Sequence, residues 1–234
     1  MAAYYPMMVD LTGRRCVVIG GGPVAERKTL GLLEGGAGEL IVVAPRVTAK
    51  LAELAVSGSI ALERREYMES DAAGAFLLFA ATGDRRLNGR IAADATRFGA
   101  LVNTADAGGE GDFATPAVVR RGGLAIALTT GGASPALAAL LKRRLAGQFG
   151  PAYEACVGRL RLLRELALAD IADAALRTAV LGLAAEEAMR EAERLSAPRE
   201  GKDFAALGTI EAIESMESIE QWMSRLRDAA ERGR

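Results

Sequence analysis

The stretch Cys16-Val17-Val18-Ile19 leads without a break into Gly20-Gly21-Gly22-Pro23-Val24-Ala25, and this junction constrains the fold more than any other part of the chain. An apolar, partly β-branched run of this length reads as a buried strand. Gly20 and Gly22 supply backbone angles that a Cβ forbids and let an anion approach the main chain, and Ala25 lets the following helix pack closely on the strand. The helix N-terminus, with Pro23 and Val24 in its first turn, offers free N–H groups to phosphate. Val24, Leu30, Leu32 and Leu33 give that helix an apolar face. The reading is a nucleotide-binding turn, G-x-G-x-x-A, whose bland alternative is a tight strand-to-helix turn with no ligand.

Strand and helix signals alternate over the first hundred or so residues, the pattern of a parallel sheet with crossover helices. Strands are expected at Arg15 to Gly20, Leu40 to Ala44, Ile60 to Tyr67, Phe76 to Thr82 and Ala100 to Thr104. Helices are expected at Val24 to Glu34, Val47 to Ser57, Ser70 to Ala75 and Arg85 to Phe98. The pattern then changes. Thr115 to Arg121 and Leu124 to Thr130 read as a hairpin around Gly122-Gly123. Ser134 and Pro135 follow as N-cap and first residue of a helix through Leu145. After Gly150-Pro151 helical spacing continues to about Leu195. A linker at 196–203 and an amphipathic helix from about Ile210 complete the chain. The expected fold class is α/β: a Rossmann-type parallel sheet (1–113), a small dimerisation segment (114–150) and a helical C-terminal domain (151–234).

Composition narrows the function classes. With 29 basic and 30 acidic residues among 234, the chain has no global attraction for polyanions, so nucleic acid is not an expected partner. Histidine is absent, which removes the usual neutral-pH acid–base group and the commonest nitrogen ligand for metals; no metal site is expected. Cys16 and Cys156 are far apart and suit a reducing compartment rather than a disulfide framework. Without a leader-like N-terminus or a membrane-length apolar run, the expectation is a soluble, cytoplasmic protein.

Four segments in order carry a resemblance. They are Val18 to Lys28, Ala80-Ala81-Thr82 with Asp84 and Asn88, Asn103-Thr104-Ala105-Asp106 leading to Phe113 to Ala117, and Thr130 to Pro135. Together they resemble the precorrin-2 dehydrogenase family, siroheme-forming enzymes that oxidise precorrin-2 to sirohydrochlorin and in some members insert iron. The resemblance covers about residues 1 to 150 well and the helical region to about 195 loosely. It implies a homodimer with a swapped dimerisation segment, a cleft between the domains, NAD as cofactor and a tetrapyrrole substrate delivered by a separate methyltransferase. Fe²⁺ as a second substrate is left open by it, since relatives include both bifunctional enzymes and pure dehydrogenases.

The resemblance also assigns roles. Asp106, just past the fifth strand where open α/β sheets bind ligands, matches the family's dehydrogenation aspartate and is the candidate base; the alternative is an Asp that caps the Ala107-Gly108-Gly109 turn. Gly20, Gly22, Pro23 and Val24 would meet the cofactor. The second strand ends Val43-Ala44-Pro45-Arg46 with no acid for a ribose 2′-hydroxyl. Family members contact NAD through backbone near Pro45 and Arg46, whereas Arg46 by itself suits either an NADP 2′-phosphate or solvent. Thr82 can hydrogen-bond cofactor or cap the helix after it. Asn103 can pin the loop carrying Asp106. For a substrate with eight carboxylates, Arg120 and the turn at Thr130, Gly131 and Ser134 are the candidate contacts, beside Arg121, Lys142, Arg143 and Arg144. Thr130 stands where fused siroheme synthases have serine. Two rival readings are a non-catalytic NAD-sensing module and an NADP-dependent reductase of another substrate.

Overall fold

The computed structural model describes residues 4–105, 111–196 and 217–233. The chain divides into two compact units, Met1–Thr115 and Pro116–Arg234.

The first unit is built on a five-stranded, wholly parallel sheet: β1 (Arg15–Ile19), β2 (Glu39–Val43), β3 (Ala61–Glu63), β4 (Leu77–Ala80) and β5 (Leu101–Thr104), in the order β3-β2-β1-β4-β5. Its helices are α1 (Pro23–Glu34), α2 (Ala49–Val56) and α3 (Arg85–Arg97), with a 3-10 turn at Glu69–Ala72. Because successive strand side chains alternate faces, Cys16, Val18, Leu40, Val42 and Phe79 pack on one side with Ala25, Leu32 and Leu51. Val17, Ile19, Leu78 and Ala80 pack on the other with Ile91 and Ala95. Thr48 caps α2 by accepting from the Leu51 N–H, and Asp84 caps α3 by accepting from Arg86 and Leu87.

The expected third strand, Ile60 to Tyr67, is cut to three residues. Its second half turns away because Arg65 forms a paired contact with Asp71, Nη1 to Oδ2 at 2.8 Å and Nη2 to Oδ1 at 2.7 Å. Asp71 also accepts from the Met68 N–H, so the chain enters the 3-10 turn there instead of extending the sheet.

In the second unit β6 (Ala117–Arg121) and β7 (Leu124–Leu128) form an antiparallel hairpin around Gly122-Gly123, Gly122 with positive φ as such a turn demands. Helices α4 (Pro135–Gln148), α5 (Ala152–Asp170), α6 (Ala174–Ser196) and α7 (Ile219–Arg232) follow. Leu163, Ala167, Val180, Ala184, Trp222 and Leu226 make the core of α5, α6 and α7. Helix α7 begins at Ile219, where extended Ser218 forms a capping box with Gln221; residues 210–216, on which the expected start of this helix falls, lie outside the described residues. Trp222 Nε1 donates to Glu187 at 2.9 Å, and Arg225 bridges Glu187 and Glu217. Helix α4 differs from the others: none of its residues is buried, and Leu137, Leu140 and Leu141 are exposed. Among the described residues no helix is long and apolar enough to cross a membrane.

Candidate functional site

Strands β2 and β4 flank β1 on opposite sides, so the chain changes direction across the sheet at the carboxyl end of β1. Open α/β sheets bind ligands at such a point. The glycine turn emerges there. Gly20, at φ +130°, is tied to the neighbouring strand by its N–H, which donates to Val43 O at 2.9 Å. A Cβ on Gly20 would lie 2.3 Å from Ala81 O, and one on Gly21 would lie 1.9 Å from Arg46 O. Only glycine lets these three strand ends converge so closely. At Gly22 the requirement reverses, because a Cβ would meet nothing within 4 Å. That open ground lies directly before α1, which begins with Pro23 and has no side-chain cap.

An uncapped helix start beside a bare glycine is an anion cradle: N–H groups and the positive end of the helix dipole face a space that no side chain fills. The residues present therefore fit the pyrophosphate of a dinucleotide. Pro45 and Arg46 belong to the same place. The Thr48 N–H donates to Gly21 O at 3.0 Å, holding the segment after β2 against the turn, with Arg46 exposed.

Thr82 stands at the tip of β4, its N–H also beside Gly20. Its hydroxyl donates to Asn88 Oδ1 at 2.6 Å and accepts from the Asp84 N–H at 3.2 Å. The buried Asn88 amide also takes the Thr82 N–H on Oδ1 and gives Nδ2–H to Thr82 O, both at 3.1 Å. Asn88 thus copies a backbone partner and fixes the loop that borders the cradle. Its clue in the sequence was only its place in the resembling string.

Asp106 lies outside the described residues. The residues on either side of that segment are held firmly. Ala105 N–H donates to Ala80 O, and beyond it Asp112 pairs with Val102 through its own N–H and by accepting the Val102 N–H on Oδ2, each at 2.8 Å. Asn103 Nδ2 donates to Phe113 O at 2.8 Å, so Asn103 pins the returning end of the loop, and its Oδ1 is buried without a partner. Phe113 meets Phe79 edge to face, with ring centroids 5.3 Å apart.

Lys28 was not singled out by sequence reasoning. It shares a helix face with Ala25, Thr29 and Leu32, the buried residues of α1, and that i, i+3, i+4 spacing was the available signal. Its ammonium lies 5.3 Å from the centre of the Phe79 ring and donates to Thr115 Oγ1 at 2.5 Å. Burial, with a smaller push from Arg27, lowers its pKa to about 8. Cys16 is fully buried and burial pushes its thiol up, which makes it a packing residue rather than a nucleophile.

In the second unit, Gly131 and Gly132 both take positive φ, and Thr130 closes the turn by donating to Ser134 O at 3.1 Å and accepting the Ser134 N–H at 3.2 Å. Ser134 Oγ caps α4 by accepting from Leu137 N–H. Thr130, Gly131 and Ser134 are therefore one structural group. Arg120 is exposed on β6, while Arg121 donates to Ala146 O and ties the hairpin to α4. Lys142, Arg143 and Arg144 are exposed. Among the described residues no group of three His, Cys, Asp or Glu is arranged to hold a metal ion.

A family model described as "Putative NAD(P)-binding" matches residues 7–117, and one described as "Sirohaem biosynthesis protein central" matches residues 121–148. A precorrin-2 dehydrogenase of Priestia megaterium is 35% identical over 149 residues, which cover 64% of this chain and 73% of that protein. A siroheme synthase of Nitrosococcus oceani is 39% identical over 150 residues, 64% of this chain but only 32% of that protein. A siroheme synthase of Stutzerimonas stutzeri is 35% identical over 217 residues, 88% of this chain and 46% of that protein. The chain thus spans less than half the length of these synthases. Among solved structures, SirC, precorrin-2 dehydrogenase, superposes with a TM-score of 0.66 at 29% identity, covering 82% of this chain and all of that one. With a glycine cradle for a nicotinamide nucleotide at the switch point of its sheet, the chain belongs to the precorrin-2 dehydrogenase family.

Proposed function

We propose that this protein oxidises precorrin-2 to sirohydrochlorin with NAD⁺, working as a homodimer. The observation that carries the reading is the open ground at Gly22 before an uncapped α1, in a chain that aligns with most of a precorrin-2 dehydrogenase. Gly20, Gly22, Pro23 and Val24 receive the pyrophosphate on backbone N–H groups and the helix dipole. Pro45 and Arg46 border the adenosine half, and Thr82, locked by Asn88, borders the other. NAD is preferred over NADP on the resemblance, whose members contact NAD through backbone near Pro45 and Arg46; the exposed Arg46 side chain is the feature an NADP 2′-phosphate would use. When bound, the nicotinamide supplies the hydride acceptor for the oxidation.

The remaining chemistry is a proton, which must leave the macrocycle for a base. Histidine being absent, the part falls to Asp, Glu, Lys, Tyr or Cys, and Asp106 is the proposed base on its place in the family resemblance, just past β5. Asn103, Thr130, Gly131, Ser134 and Arg120 are proposed contacts for the substrate's carboxylates, and the exposed leucines of α4 are proposed to be covered by a second copy of the chain.

The test supplies precorrin-2 with NAD⁺ or NADP⁺ and follows reduced nucleotide and sirohydrochlorin absorbance together. Turnover with NAD⁺ well above that with NADP⁺ is expected, and Asp106→Ala should lower kcat about 10²- to 10⁴-fold with the fold retained. Unchanged kcat in that variant removes Asp106 from the role. Added Fe²⁺ or Co²⁺ in the same cuvette reads whether sirohydrochlorin is also metallated.

A further inference from the structure

Lys28 is a half-buried cation of the first unit. It sits on α1, the helix whose start forms the cradle, and its side chain reaches along the sheet face to Phe79 of β4. Burying an ammonium is costly unless an anion or several acceptors compensate it. Here the compensation is thin: a neutral hydroxyl, Thr115 Oγ1, and the face of one aromatic ring. Among the described residues no carboxylate makes an ion pair with it. Thr115 is exposed, and because its oxygen accepts from Lys28, its own O–H is left to point at another acceptor. An ammonium and a hydroxyl set side by side, with an accessible edge and no counter-ion, form a two-donor anion site.

We propose that Lys28 and Thr115 together anchor one carboxylate of the tetrapyrrole substrate. The inference rests on the substrate class proposed above and adds a residue pair to it. The groups facing the ammonium are Phe79 from β4, Thr115 from the segment after β5 and Arg27 on its own helix. Neither Phe79 nor Thr115 titrates near neutrality, and arginine stays charged throughout, so a pH effect between 7 and 9 at this place reports Lys28.

The experiment compares wild type with Lys28→Met, Lys28→Arg and Thr115→Val in precorrin-2 oxidation, with KM measured separately for precorrin-2 and NAD⁺. Loss of one charge-assisted contact predicts a KM for precorrin-2 about 10- to 100-fold higher in Lys28→Met, with KM for NAD⁺ within about twofold, since the pyrophosphate is held by backbone rather than by this side chain. Lys28→Arg should recover most of the affinity. In wild type the KM for precorrin-2 should rise as pH passes through about 8, and in Lys28→Arg it should stay flat. Lys28→Met should melt no lower than wild type, because the change removes a poorly compensated buried charge; a merely structural lysine would lower the melting temperature and leave KM alone. Titration with uroporphyrin I, a stable octacarboxylate porphyrin, separates this inference from the proposed reaction. If wild type fails to oxidise precorrin-2 yet binds uroporphyrin I, weaker binding by Lys28→Met sustains the anchor while the reaction falls. Equal KM and equal porphyrin affinity in wild type and Lys28→Met, or no porphyrin binding by wild type at all, overturns the anchor.

Discussion

Helices α1 and α4 both follow a glycine-containing turn and both carry proline as their first residue, Pro23 and Pro135. They use that start in opposite ways. At α1 the N-cap is Gly22, no side chain satisfies the first N–H groups, and the helix body is committed to the core through Ala25, Thr29 and Leu32. At α4 the N-cap is Ser134, whose hydroxyl accepts from Leu137, while the helix body is wholly unburied. One helix is finished along its length and open at its start; the other is closed at its start and open along its length. An open start asks for an anion, and an open apolar flank asks for another surface. Similar turn chemistry thus serves a ligand in one unit and, on the reading proposed above, a second subunit in the other.

The contrast can be broken experimentally. Gly22→Asp puts a carboxylate on the open ground without a steric clash, so it should weaken NAD⁺ binding about 10²- to 10³-fold, each lost charge-assisted contact being worth about 1.5–3 kcal/mol; calorimetry on a variant with an unchanged circular dichroism spectrum checks this. Leu32→Ala, in the buried face of α1, should cost about 2–5 kcal/mol in a denaturant titration. Leu140→Ala on the exposed face of α4 should change monomer stability by no more than about 0.5 kcal/mol, yet Leu137→Ser with Leu140→Ser should shift the sedimentation coefficient from dimer to monomer. Dimers that survive this double change would refute the role given to α4. Ser134→Ala removes a true N-cap and should cost about 1 kcal/mol while leaving NAD⁺ affinity untouched; a matching loss of affinity would erase the distinction between the two starts. The smallest effect concerns acid. Although burial pushes the Asp71 carboxyl up, its contacts with Arg65 and Met68 hold it below its ordinary 3.8. A carboxyl whose pKa is lowered by folding stabilises the protein above that ordinary value and loses the contribution as pH falls through the folded value. Asp71→Asn should therefore flatten stability against pH below about 4.

Much of the first unit was legible because its signals are local. The strand-turn-helix at Cys16 to Ala25 needs only φ preference, apolar run and helix spacing, and it forms where expected. What the sequence hid were features set by particular side-chain pairings, which periodicity and composition do not report. The early end of β3 depends on Arg65 finding Asp71. Asn88 and Lys28 stood in the resembling segments without a role of their own: neither residue type announces a site, and each gains its meaning from the side chains it meets, Thr82 for Asn88 and Phe79 and Thr115 for Lys28. The role proposed for Asp106 rests on the resemblance, since an aspartate before Ala107-Gly108-Gly109 reads equally well as a turn residue; the residue itself lies outside the described ones.

On the function proposed above, the glycine cradle serves a dehydrogenation of precorrin-2. Quantifying NADH and sirohydrochlorin in the same anaerobic reaction tests it most directly, because removal of one hydride and one proton from each macrocycle requires equal amounts of both. Wild type should yield the two products one to one, and at an NAD⁺ concentration near the wild-type KM Gly22→Asp should yield far less of both. Folded, NAD⁺-binding wild type that makes neither product, or sirohydrochlorin formed without NADH, would rule out NAD-linked oxidation of precorrin-2 as its function.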